Sequence, residues 1–60
     1  MDLTDGIIAY EQGELDEQQE KELFAKLIKN GMAWTLQGHY GRTAMSYIEG
    51  GLLNRQGDIL

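Results

Sequence analysis

The apolar positions of this chain fall into three groups at helical spacing, separated by polar stretches that carry glycine. In the first group Leu3, Ile7 and Ile8 recur at i, i+4 and i+5, which predicts a short helix over residues 4–12. Thr4 stands where an N-cap is expected, and Asp5 suits the positive first turn. Gly13 reads as a left-handed stop, with Leu15 folding back onto the helix just beyond it. Gly6 weakens this segment, since glycine inside a helix costs roughly 1 kcal/mol.

The second group gives the clearest helix, over residues 16–30. Asp16 is a good N-cap, and Gln19 three positions later completes a capping-box pattern. Glu17 and Glu20 lie near the positive end of the helix dipole, and Lys26 and Lys29 near the negative end. Glu22 and Lys26 are spaced i, i+4 in the favourable order. Leu23, Phe24, Leu27 and Ile28 make one apolar stripe, and Asn30-Gly31 ends the helix.

The third group, Tyr40, Ala44, Tyr47 and Ile48, falls at i, i+4, i+7 and i+8. It predicts a helix from Tyr40 to the Gly50-Gly51 stop, with Leu52 and Leu53 packing back onto the core. Residues 35–39 show no regular pattern. Residues 54–60 read as a polar, frayed tail behind a single domain at 1–53. No stretch alternates apolar and polar residues long enough for a sheet, and the chain has no proline. The pattern predicts an all-α fold, a compact bundle of three short helices with a helix-turn-helix-like outline.

Length and composition sharpen this picture. Sixty residues bury only about 60% of the surface that the unfolded chain exposes. With no cysteine and one histidine, neither disulfides nor a cysteine- or histidine-rich metal site can reinforce so small a core. Self-association is therefore expected, as a homodimer or larger oligomer. No metal or cofactor is expected. No apolar run approaches the roughly 18 residues of a membrane span, and the acidic start does not resemble a secretory signal. A soluble, intracellular protein is the expectation.

The formal charge of −5 is unevenly placed. Residues 1–22 hold eight acids against one base, a balance of −7, while residues 23–60 hold two acids against four bases, a balance of +2. Nucleic-acid binding draws its affinity from phosphate neutralisation, which an acidic chain supplies poorly. The asymmetry suits a basic patch on a protein partner, or a head-to-tail contact between copies. Glu14, Glu17 and Glu20 are the candidate contacts on the acidic side. Acids on surface helices can also imitate DNA phosphates, although a merely solvated face is the commoner reason for them.

The remaining chemistry is concentrated in one stretch, Trp34-Thr35-Leu36-Gln37-Gly38-His39-Tyr40-Gly41-Arg42. As a catalytic site it lacks a partnered nucleophile, and its glycines lack the spacing of a phosphate loop. As a corner, Gly38 and Gly41 would supply positive φ or close backbone approach. Trp34, Leu36 and Tyr40 would close the core, Gln37 would satisfy backbone groups, and Arg42 would pair with an acid or lie over a ring. As a contact surface, Trp34, Gln37, His39, Tyr40 and Arg42 include the residue types that dominate interface hot spots. The candidate recognition helix of a helix-turn-helix reader would begin near Tyr40, but it offers Arg42 as its one base.

The motifs Glu11-x-Gly13-Glu14-Leu15, Ala33-Trp34-x-Leu36-Gln37-Gly38-x-Tyr40-Gly41-Arg42-x-Ala44 and Ile48-Glu49-x-Gly51 resemble a group of short proteins encoded by tailed bacteriophages. The resemblance covers most of the chain. It implies a phage origin and a life in the host bacterial cytoplasm, and it assigns no activity. In similar sequences position 39 is often Ser, which argues against a role that needs an imidazole. The combined expectation is a non-enzymatic accessory protein that binds and modulates, in the sharper form inhibits, a host or phage protein such as a host defence or nucleic-acid enzyme. The alternatives are a small helix-turn-helix-like DNA-binding regulator and a self-assembling structural or small-molecule-binding oligomer.

Overall fold

Three α-helices organise the chain in a computed structural model that describes residues 3–60: α1 (Leu3–Glu11), α2 (Glu17–Lys29) and α3 (Gly38–Glu49). A single 3-10 turn, Met32–Trp34, joins α2 to α3. There is no strand among the described residues, only an isolated antiparallel bridge between Leu53 and Ile59. The fold is all-α, with α2, a turn and α3 in the order of a helix-turn-helix.

α2 is the central element, and its sequence explains why. Asp16 accepts a hydrogen bond from the Gln19 amide at 2.8 Å, and the Gln19 side chain accepts one from the Asp16 amide at 3.1 Å. This reciprocal capping box satisfies two donors that a helix start otherwise leaves unpaired. The helix ends at Asn30, and Gly31 takes the left-handed conformation at φ 79°. Between these ends Leu23, Phe24, Ala25, Leu27 and Ile28 are buried, with Phe24 and Leu27 fully so. Burying side chains of this size contributes about 1.5–3 kcal/mol each. Ala33, Tyr40, Ala44 and Leu53 complete the core from the 3-10 turn, α3 and the segment after it.

α1 packs by a different stripe from the one its sequence suggests. Leu3, Ile7 and Tyr10 pack against the core, Gly6 is buried between them, and Ile8 is 47% exposed. Positions 3, 7 and 10 are one helical face, whereas Ile8 stands a further 100° or so round the helix. Gly6 is thus buried on the inner side of α1. Thr4 lies within the helix and does not cap it. Gly13 stops the helix at φ 73° and Leu15 packs back, as expected.

Residues 54–60 do not fray. The Asn54 side chain accepts hydrogen bonds from the Gln56 and Asp58 amides, each at 2.9 Å, and closes a tight turn. The Leu60 amide donates to the Leu52 carbonyl at 3.0 Å, and Lys29 reaches Asp58 at 3.8 Å. Gly57 is buried at φ 88° against α2, where a Cβ would stand 2.5 Å from Lys29 Cγ and 2.6 Å from the Ala25 carbonyl oxygen. A short C-terminal ribbon therefore lies on α2, and it can lie there because position 57 has no side chain.

Candidate functional site

The Trp34–Arg42 stretch divides into an inward and an outward half. Tyr40 belongs to the inward half: it is 2% exposed, and its hydroxyl donates to Glu11 Oε2 at 2.8 Å. The placement corrects its role as a contact residue, because its ring is not available at the surface. Desolvation, and then the hydrogen bond and charge of Glu11, push its hydroxyl up to about 12 from the ordinary 10. His39 is half-buried beside it. Its Nε2 shares a 3.1 Å hydrogen bond with the Tyr10 hydroxyl, in which either side donates according to the imidazole tautomer. The two rings stack at 5.7 Å with planes 17° apart.

These contacts form an aromatic cluster that ties α1 to α2 and α3. Tyr10 meets Phe24 edge-on at 5.3 Å and Tyr40 at 5.5 Å, and Phe24 meets Tyr47 at 5.6 Å. Such pairs add about 0.5–1.5 kcal/mol each beyond their buried area. The residues missed in the sequence, Tyr10 and Glu11, are the partners of His39 and Tyr40 across 29 positions of chain. The helical spacing of Leu3, Ile7 and Tyr10 is the signal that would have placed Tyr10 inward. Glu11, His39, Tyr10 and Tyr40 are a carboxylate, an imidazole and two phenols in mutual reach. However, the grooves at α1–α2, at α2–α3 and under the C-terminal ribbon include none of these four side chains. Their visible work is to hold the N-terminal end of α3 against α1.

The outward half is Trp34, Gln37 and Arg42. Trp34 is 48% exposed, which corrects the expectation that it closes the core. Its position follows from the 3-10 turn: Ala33 points inward and is buried, so the next residue is rotated out. The indole rests on α3 at Gly41, where a Cβ would stand 3.8 Å from the ring and 3.5 Å from the Ala33 carbonyl. Gly41 and Gly38 have helical backbones, and the left-handed glycine of the corner is Gly31. Gln37 precedes α3 in extended conformation, is exposed, and makes no side-chain cap. Arg42 is exposed, its guanidinium lies close to Gly38, and it makes no ion pair among the described residues. Trp34, Gln37 and Arg42 are thus all exposed around the start of α3.

The acidic candidates lie apart from that corner. Glu14 and Glu17 are exposed at the start of α2, and Glu20 is half-buried one turn further on. Glu17 and Glu20 line a surface groove with Tyr47 and Leu52, two residues the sequence had placed only in the packing. Burial first, and then the carboxylate of Glu20, push the Tyr47 hydroxyl up to about 12 from the ordinary 10. Asp2, counted among the acids, lies outside the described residues. Among the described residues no group of three or more His, Asp or Glu is arranged to hold a metal, and no helix is long and apolar enough to cross a membrane.

Across residues 1–60 the chain matches the family described as a domain of unknown function, DUF7417, and it belongs to that family. No curated protein and no solved structure matches it.

Proposed function

We propose that this chain is a small non-enzymatic accessory protein of phage origin, which works by binding another protein, of the host or the phage, in the bacterial cytoplasm and modulating its activity. In the sharper form the partner is a host defence or nucleic-acid enzyme, and binding inhibits it. The observation that carries the reading is the half-exposed Trp34. A 60-residue core has every physical reason to recruit its one tryptophan, and here the indole is left half-exposed over Gly41, with the exposed Gln37 and Arg42 close to it in sequence. Tryptophan and arginine are the side chains most enriched where binding energy is concentrated. The stretch Ala33-Trp34-x-Leu36-Gln37-Gly38-x-Tyr40-Gly41-Arg42, which resembles short tailed-phage proteins, supports the reading, since Trp34, Gln37 and Arg42 in it are exposed. The overall negative charge favours a protein partner over nucleic acid.

The test is affinity capture with the tagged chain from bacterial cells, with Arg42→Ala run in parallel. The reading expects one protein in stoichiometric amount from the wild-type chain. Arg42 makes no ion pair among the described residues, so Arg42→Ala should weaken capture while its melting temperature stays within about 2 °C. Capture of nothing, or an unchanged complex with Arg42→Ala, would count against the corner.

A further inference from the structure

A groove of about 560 Å³ runs between the N-terminal half of α2 and the end of α3, lined by Glu17, Gln18, Glu20, Lys21, Tyr47 and Leu52. Its apolar part has two sources. The Tyr47 ring is anchored on Phe24 at 5.6 Å, and Leu52, just after the Gly50-Gly51 stop, is 47% exposed. Its charged part comes from Glu17 and Glu20, which stand one turn apart and whose fields both reach the Tyr47 hydroxyl. The stretch 14–20 holds Glu14, Asp16, Glu17 and Glu20 and no base, so the approach to the groove is negative. Lys21 is the single opposing charge on its wall.

We infer that this groove receives a lysine or arginine side chain presented by a protein segment, with an apolar neighbour of that side chain resting on Leu52. The carboxylates supply charge-assisted acceptors, and the tyrosine ring supplies a face and hydroxyl for a cationic head or its methylene stem. The same charges disfavour a phosphate, a nucleic acid or an anionic lipid surface. The inference goes beyond the Trp34 corner. It concerns a separate surface and holds whether or not that corner binds a protein.

The test is a nuclear magnetic resonance titration of the full isotope-labelled chain with acetylated Leu-Arg-Leu-Lys-Leu amide, and with the counterpart in which Glu replaces Arg and Lys. The basic peptide should shift the Glu20, Tyr47 and Leu52 resonances saturably, and the acidic one should not. The double variant Glu17→Gln, Glu20→Gln leaves the Asp16–Gln19 cap in place, so it should fold as the wild type by circular dichroism. It should bind the basic peptide about fivefold to tenfold more weakly, as expected for the loss of two partly exposed charge contacts. Absent shifts, equal shifts with the acidic peptide, shifts confined to other residues, or unchanged affinity in the double variant would each overturn the inference. Failure of affinity capture alone would strike the Trp34 reading and leave this result standing.

Discussion

At Gly57 a single methyl group has nowhere to go. The Cβ would meet Lys29 Cγ at 2.5 Å and a main-chain oxygen at 2.6 Å, on a backbone at φ 88°. Gly13 has a similar φ of 73° but open space around it. The pair separates two costs. Gly13→Ala should lose only the left-handed penalty, about 1 kcal/mol, whereas Gly57→Ala should lose that and at least about 2 kcal/mol more as the ribbon lifts from α2. Urea denaturation of both variants checks this, and equal losses would mean that the ribbon contributes nothing. The tyrosines give a second prediction at this scale. Tyr40 and Tyr47 are held neutral to about 12, above the ordinary 10 of an unfolded chain. A folded value raised in this way contributes stability that is complete below pH 10 and disappears as pH rises from about 10 to 12. Helicity and phenol absorbance should therefore change together in that window. Full ionisation of Tyr40 and Tyr47 near pH 10 with helicity intact would contradict the packing described for them.

Individual elements can be adjusted separately. Asp16→Ala removes the acceptor of the Gln19 amide and breaks the capping box, which should cost about 1 kcal/mol. Gly41→Ala should go the other way. Position 41 is helical, and the added Cβ meets only ordinary contacts at 3.5 and 3.8 Å, so the variant should be more stable by up to about 1 kcal/mol. Thermal melts test both, and a large loss in Gly41→Ala would show the Trp34 indole to be packed tighter than it stands here. The contrast explains what the sequence made legible. α2 was readable because its cap, stripe, charges and stop are all local signals. α1 was placed correctly, but its inner face was misjudged because Ile7 and Ile8 are adjacent and only one of them can face inward. The outward turn of Trp34 could not be read, since one 3-10 turn is too short to show a period. The ribbon was invisible for another reason: Gly57 matters only through Ala25 and Lys29, far back along the chain.

At the scale of the molecule the radius of gyration is 10.3 Å, close to the value of about 10 Å expected for a folded unit of this length. Around the ribbon Leu52, Ile59 and Leu60 remain 46–69% exposed. Trp34 and Ile8 are also about half exposed. Self-association remains a proposal that light scattering decides against the monomer mass of 6.8 kDa. The half-exposed indole is the feature on which the functional account depends. Trp34→Ala removes it from a corner where the indole lies over Gly41 and stays 48% exposed. The most direct measurement compares partner capture by wild-type and Trp34→Ala chains at matched concentration, with a melting curve for each. The account predicts a similar fold, a melting temperature lower by no more than a few degrees, and capture weakened at least about tenfold, as for a hot-spot tryptophan. Equal capture by a folded Trp34→Ala chain would contradict it.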